Sequence, residues 1–89
     1  MDKHETHPEI VKRLKRALGH LDKVVHMIES GKACLQVAQQ LQAVVNAIAK
    51  AKQIYVQDHI ENCIETREGL ASKDLARQVR ELKEIAKYL

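Results

Sequence analysis

Cys34, His59 and Cys63 are the residues of this chain whose types and spacing could bind a metal ion. Two thiolate sulfurs and one imidazole nitrogen form a soft ligand set with three donors, and such a set suits Cu(I). Structural zinc usually takes a fourth ligand, which water or another histidine would have to supply. The two thiols could also act without a metal, since cysteines in a reducing compartment are more often ligands or reactive thiols than disulfide partners.

A continuous helix would keep these three residues apart within one chain. His59 and Cys63 are four residues apart, so they share a helical face and could bind one ion together. Cys34 precedes Cys63 by 29 residues, which is about 43 Å along a helix. An antiparallel second chain would bring its own Cys34 beside the pair, and twofold symmetry would repeat the site at the other end. Spacing alone leaves open that the cysteines are ordinary core residues.

Apolar residues at helical spacing predict three helices. The first begins at Pro8 and ends near Gly31, because proline suits a first turn and glycine suits the position after a helix. The second pattern runs through residues 32–68 without Gly or Pro and predicts a helix of about 33–36 residues. Gly69 ends that helix, and Ser72 can cap a third.

The length of the second helix indicates an oligomer. The 89 residues include no Phe or Trp, so the core must be aliphatic. A helix of about 50 Å is far longer than a compact monomer with a radius of gyration of about 12 Å. We therefore expect an all-α fold with three helices per chain, in which helices 1 and 2 form an antiparallel hairpin that pairs with a second chain as a four-helix-bundle dimer. Residues 1–7 are expected to be a flexible N-terminal tail, and residues 8–89 a single helical domain.

Several classes of protein are excluded by the sequence. Its apolar runs are far shorter than the roughly 18 residues of a membrane span, and it shows no secretory signal pattern. We therefore expect a cytoplasmic protein without a membrane partner. No nucleophile with a neighbouring base, phosphate-binding glycine loop or carboxylate pair appears, so we do not expect an enzyme.

Three segments resemble the copper-sensitive operon repressor family: Leu14-Lys-Arg-Ala-Leu-Gly-His-Leu21, Cys34-Leu-Gln-Val-Ala-Gln-Gln-Leu41 and Asp58-His-Ile-Glu-Asn-Cys63. The family contains small bacterial repressors that sense copper, nickel or cobalt, formaldehyde, or persulfides. The resemblance covers residues 8–88 and implies that two four-helix-bundle dimers assemble into a homotetramer. It also implies binding to double-stranded operator DNA in the ligand-free state and release when the inducer binds.

The resemblance places the family's copper ligands on Cys34, His59 and Cys63, so Cu(I) is the expected inducer. Copper sensors of the family have a tyrosine before the first cysteine, and this chain has Ala33 there. Nickel and cobalt sensors add nitrogen ligands from the N-terminus, for which His4 and His7 are the candidates. Ni²⁺, Co²⁺ or Zn²⁺ is therefore an alternative inducer.

A mechanism based on thiols alone is a second alternative. Cys34 and Cys63 of neighbouring chains could be joined through a persulfide-derived bridge, and this chemistry would not need His59. Formaldehyde sensing fits less well, because the family's formaldehyde sensors use an N-terminal proline and Asp2 follows Met1 here.

A basic surface on helix 1 is the candidate contact with DNA. Its residues are Lys12, Arg13, Lys15 and Arg16. A solvated charged face is the ordinary role of such residues, and no helix-turn-helix or basic zipper pattern identifies a recognition helix. The resemblance implies that this face contacts phosphates, and symmetric copies would multiply its charge. This chain departs from the family on helix 2. Many relatives have a Val-Arg pair where this chain has Val44-Val45, so a basic residue often linked to DNA contact is missing there.

Overall fold

The structure is a computed structural model that describes the backbone of residues 6–66 and 72–89 and the side chains of residues 6–62 and 75–89. The described residues form three helices, α1 (His7–Glu29), α2 (Cys34–Thr66) and α3 (Ser72–Ala86), and no strand. The predicted all-α fold with three helices per chain is confirmed. Gly69 and the side chain of Ser72, predicted to stop one helix and cap the next, lie outside the described residues. No described helix has the length and apolar character needed to cross a membrane.

The link between α1 and α2 is set by Gly31. Its φ of 74° lies in the left-handed region, where glycine avoids the steric cost that a Cβ atom brings. The Gly31 amide donates to the Ile28 carbonyl at 3.1 Å, and the Lys32 amide donates to the Met27 carbonyl at 3.0 Å. These two bonds satisfy carbonyls at the end of α1 and form a Schellman motif. α1 therefore stops where the sequence predicted, and the chain reverses within a few residues.

Contacts divide the chain into two units, each with part of α2. One unit is Pro8–Ala51, which contains most of α1 and the first half of α2. The other is Met1–His7 with Lys52–Leu89, which contains the second half of α2 and all of α3. Val56 is buried in the second unit, where half-buried aliphatic side chains accompany it on α2 and α3 (Ile54, Ile60, Leu82 and Ile85).

Residues spaced by seven form the buried part of the α1–α2 hairpin. On α1 these are Ile10, Ala17 and Val24, and on α2 they are Val44 and Ala51. The side chains between them on α1 (Arg13, His20 and Met27) are half-buried. Alternating steps of three and four residues are the spacing of two helices packed with a coiled-coil crossing. The hairpin seam is therefore built from alanine, valine and isoleucine side chains, with Arg13 and His20 as polar residues between them.

A second apolar row on each helix stays exposed. On α1 the row is Val11, Leu14, Leu18, Leu21, Val25 and Ile28, with exposed fractions between 36% and 67%. On α2 it includes Leu41, Val45 and Ile48. Both rows also step by three and four residues. Large side chains thus face outward while smaller ones occupy the seam, which is the opposite of the usual distribution for a monomer.

The two described glycines allow a matched test of the hairpin link. We expect Gly31→Ala to lower the free energy of unfolding by about 1–2 kcal/mol, because alanine is strained at positive φ. Gly19 is inside α1, and a Cβ atom there would meet no described atom within 4 Å. Gly19→Ala should therefore raise the free energy of unfolding by about 0.5–1 kcal/mol. Urea denaturation at a fixed protomer concentration measures both. A loss of stability in Gly19→Ala would show that another chain packs closely against this glycine.

Candidate metal site

α2 carries all three candidate ligands. Cys34 is its first residue, and its side chain is an exposed free thiol. His59 and Cys63 lie in the last part of the helix, one turn apart. The helix is continuous between residues 34 and 66, and a continuous helix rises about 1.5 Å per residue. The structure therefore brings His59 and Cys63 to one stretch of helix and leaves Cys34 at the opposite end of the same helix.

His59 lies against α3. Its side chain is 27% exposed, and its Nε2 atom is 3.7 Å from Oε1 of Glu81. That distance is too long for a direct hydrogen bond, but it fits an ion pair when the ring is protonated. A histidine that binds a metal through one ring nitrogen commonly donates the other N–H to a carboxylate. Nε2 is the ring nitrogen that faces Glu81, and a small movement of this exposed side chain would let it accept from Nε2 and leave Nδ1 to an ion.

His7 lies in the same unit as His59. Its ring stacks on Tyr55 with a centroid distance of 5.3 Å and an interplanar angle of 16°. Its Nε2 atom is 3.7 Å from Oδ2 of Asp58, the residue next to His59. His7 was predicted to be part of the tail, and the structure makes it the first residue of α1. The imidazole of His7, near the N-terminus, thus lies beside the segment that carries the candidate ligand His59.

Two of the predicted ligands cannot be described in full. His4 lies outside the described residues, as does the side chain of Cys63. Among the side chains that are described, no three His, Cys, Asp or Glu residues form a group that could hold a metal ion. The donor types present at Cys34 and His59 nevertheless fit a soft or borderline metal, since thiolates and imidazoles are the ligands such metals prefer.

The predicted DNA-binding residues are divided by the structure. Lys12, Lys15 and Arg16 are exposed on α1, whereas Arg13 is half-buried. Its Nε atom is buried and has no hydrogen-bond partner among the described residues. Arg13, Arg16, Ala17, His20 and Ala47 line a groove between α1 and α2. The role of all four basic residues in binding DNA stays a prediction.

Two contacts could not be found from the sequence pattern. Glu81 is on a different helix from His59, so helical spacing within α2 gives no signal for it. His20 donates through Nε2 to Oε1 of Gln40 at 2.7 Å across the hairpin seam. Both residues occupy positions of the seam repeat, so the pairing could have been proposed once the register of the hairpin was known.

The fold and the site together define a class of protein. The described residues form helices only, with a cysteine and a histidine on one long helix and basic side chains exposed on another. The family model for the metal-sensitive transcriptional repressor matches residues 6–88. This chain belongs to that family, whose members are transcriptional repressors and not enzymes.

Similar proteins sense copper or nickel. The copper-sensing transcriptional repressor CsoR of Mycobacterium ulcerans (strain Agy99) is 41% identical over 51 residues, which are 57% of this chain and 44% of that protein. The copper-sensing transcriptional repressor CsoR of Mycobacterium tuberculosis (strain ATCC 25618 / H37Rv) is 39% identical over 54 residues, which are 61% of this chain and 45% of that protein. The aligned segments thus span less than half the length of these relatives.

A solved structure gives a match over the whole chain. The nickel-responsive transcriptional regulator InrS superposes with a TM-score of 0.79 and 28% sequence identity, covering 100% of this chain and 99% of that one. The predicted family and the all-α fold are confirmed by these comparisons. The ligand residues and the DNA-binding residues are not tested by them.

The contact between His59 and Glu81 predicts a role for the carboxylate in metal affinity. We expect Glu81→Gln to weaken a metal bound through His59 by about 10- to 100-fold, the range typical of lost carboxylate support. Glu84→Gln is the matched control, because Glu84 is on the same helix but pairs with Lys87. Competition with a chromogenic chelator measures both affinities. Equal affinities in the two variants would show that Glu81 does not support the ligand.

Proposed function

We propose that this chain is a copper-responsive transcriptional repressor that binds operator DNA without metal and releases it when Cu(I) binds between chains. The ligands are Cys34 of one chain with His59 and Cys63 of another. The observation that carries this proposal is the continuity of α2, which holds the first ligand at one end of a helix and the other two near its opposite end. A site that uses all three residues needs a second copy.

The exposed apolar rows of the hairpin support pairing with a second copy. The α1 row contains three leucines between Leu14 and Leu21, and all three are at least 36% exposed. Burying an apolar surface of this kind stabilises an assembly in proportion to the area removed from water. Cys34 precedes Leu41 by seven residues and Ile48 by fourteen, so the thiol continues the exposed α2 row. A second hairpin that covered this row would therefore contact the position of Cys34.

Antiparallel pairing satisfies the requirement of the site. It sets the start of α2 in one chain beside the end of α2 in the other, and a twofold axis then gives two equivalent sites per dimer. We propose a homodimer of this type, which further pairs into a homotetramer in the cytoplasm. The proposal rests on the family and on the exposed rows.

The residues at the site would act in distinct ways. Bound Cu(I) would supply bonds to two thiolates and one imidazole, and these bonds would fasten the end of one α2 to the start of the other. His59 would present Nδ1 to the ion while Glu81 accepts from Nε2. Both cysteines must lose a proton and His59 must be neutral, so metal binding competes with protons and weakens as the pH falls.

DNA binding is proposed for the basic surface of α1. Lys12, Lys15 and Arg16 are exposed there and are free to reach phosphates. Contacts with phosphates position a protein on a duplex without reading its sequence. A shift of the hairpins when the metal binds would move these residues out of register with the phosphates, and a coupling of about 1–3 kcal/mol is typical between two sites of this kind.

Mixing variants that each lack a different ligand tests the interchain site. Neither Cys34→Ala nor Cys63→Ala should bind Cu(I) with high affinity alone. A mixed dimer regains one complete site, from Cys34 of one chain and His59 with Cys63 of the other. After an equimolar mixture is unfolded and refolded together, about a quarter of the wild-type sites should return. Anaerobic Cu(I) titration against a chelator measures the number of sites.

A second mixture is the control for this experiment. His59→Ala and Cys63→Ala remove ligands from the same half of the site, so their mixture should regain no high-affinity binding. Recovery in this control mixture, or no recovery in the first mixture, would contradict the proposed arrangement. A purely thiol-based sensor would instead respond to polysulfide normally in His59→Ala and would remain on DNA in the presence of copper.

A nickel-responsive repressor is the second candidate function. The match to the nickel-responsive regulator InrS supports it, as does the position of His7. That ring lies 3.7 Å from Asp58, next to His59, and so offers a nitrogen donor in the same unit. Ni²⁺ usually takes more ligands than a soft three-donor site provides, and imidazole suits it.

His7→Ala separates the copper and nickel functions. We expect this variant to retain Cu(I)-driven release from DNA and to bind Ni²⁺ more weakly, because only nickel would need the additional nitrogen. His26→Ala is the control, since His26 is exposed and its Nδ1 contacts Asp22 on the same helix. Fluorescence anisotropy with duplex DNA from upstream of the chain's own gene measures release by each metal. Loss of the copper response in His7→Ala would show that the primary site extends beyond Cys34, His59 and Cys63.

A further inference from the structure

A basic groove lies between α1 and α2 in the Pro8–Ala51 unit. Its lining residues are Arg13, Arg16, Ala17, His20 and Ala47, it is open to solvent along one side, and its volume is about 130 Å³. Ala17 and Ala47 are small and make the space, while the two guanidinium groups and the imidazole supply the polar atoms. A groove of this kind could hold one small, negatively charged group.

The Arg13 side chain shows that the groove lacks a partner. Its Nε atom is buried and has no hydrogen-bond partner among the described residues. Buried polar groups in native proteins are nearly always hydrogen-bonded, and a guanidinium is a donor in all of its nitrogens. No ion pair with a described carboxylate involves Arg13 or Arg16. An acceptor from outside these residues, either a water molecule or an anion, would satisfy Nε.

The imidazole of His20 is held in place beside the guanidinium groups. Its Nε2 atom contacts Oε1 of Gln40 at 2.7 Å, which fixes the ring across the seam. The Nδ1 atom is not used by that contact. Nδ1 is therefore a second polar atom of this ring that can meet a ligand in the groove.

Helical spacing places the groove on the face of the hairpin opposite to the exposed apolar rows. Arg16 and His20 lie on one side of the buried α1 row, and Leu14 and Leu18 lie on the other. On α2, Ala47 and Ile48 lie on opposite sides of the buried residues Val44 and Ala51. A second copy that covered the apolar rows would thus leave the groove open to a further ligand.

From these observations we propose that the groove is an oxyanion pocket that accepts one phosphate group. Planar guanidinium groups bind phosphate oxygens through paired hydrogen bonds. The phosphate could belong to the backbone of DNA or be inorganic phosphate, since both present the same oxygens. The first source rests on the proposed DNA-binding function, and the second does not.

Filling the groove without changing the charge tests this pocket. Ala47→Met places a longer side chain into the groove and keeps a good helix former. Ala49→Met is the matched control, because Ala49 is exposed on α2 and does not line the groove. For duplex DNA, the slope of log affinity against log salt concentration should fall in magnitude by about 0.9 for each pocket that loses a phosphate. The slope of Ala49→Met should equal that of the wild type.

Nuclear magnetic resonance with inorganic phosphate forms the second arm. The full chain is titrated with phosphate at constant ionic strength in chloride, and the His20 ring and Arg13 Nε–H signals are followed. A saturable shift that Ala47→Met abolishes identifies free phosphate as an occupant, whereas a changed salt slope alone identifies the DNA backbone. Two results together would overturn the proposal. One is that the salt dependence of DNA affinity is the same in Ala47→Met as in the wild type, and the other is that phosphate causes no saturable shift in the wild-type signals.

Arg13→Lys gives an independent variant if Ala47→Met fails to fold. It keeps the positive charge but loses Nε and the paired donor geometry. If the groove is a phosphate pocket, Arg13→Lys should bind phosphate or DNA more weakly. If the residues form only a diffuse basic surface, binding should not change, and unchanged binding would therefore also overturn the proposal. If no variant or wild-type protein binds duplex DNA, the proposed repressor function fails, and the phosphate titration still decides the pocket.

Discussion

The uninterrupted helix α2 is the constraint on which the proposed site depends. A continuous helix fixes the distance between its residues, and here it separates Cys34 from Cys63 by 29 positions. A break near its centre would let one chain fold back and bring its own thiols together. No Gly or Pro occurs between residues 32 and 68 to permit such a break. The helical propensity of this segment would thus make assembly a condition of metal binding at the proposed site.

The distribution of side-chain size on the hairpin follows from the same constraint. The seam buries Ile10, Ala17, Val24, Val44 and Ala51, and it also contains a polar contact between His20 and Gln40. The larger side chains of α1 form the exposed row instead. A hairpin of this kind gains less by folding alone than by covering its outer row, since stabilisation scales with the apolar area removed from water. Folding and assembly of such a chain are expected to be closely linked.

The sequence predicted the helices well because their ends depend on local chemistry. Gly31 adopts the positive φ that its position after α1 requires, and α2 begins a few residues later, as the apolar pattern indicated. The sequence could not divide the α1 stripe into a buried and an exposed row, because both rows repeat by three and four residues. Which row faces α2 depends on packing between helices. The contact between His59 and Glu81 depends on how α3 lies against α2, and no local pattern encodes it.

α2 also connects the proposed metal site to the proposed contact with DNA. Its first half forms one wall of the basic groove through Ala47, and its second half carries His59. Metal ligation between chains would therefore act on the same helix that shapes the groove. A coupling of about 1–3 kcal/mol would be enough to alter DNA affinity by about 5- to 150-fold. The hydrogen bond between His20 and Gln40 in the seam is of the kind that contributes about 0.5–1.5 kcal/mol, which is comparable to that coupling. A seam of closely packed leucines would cost more to displace, so the weak inner seam is suited to a helix that must respond to a ligand.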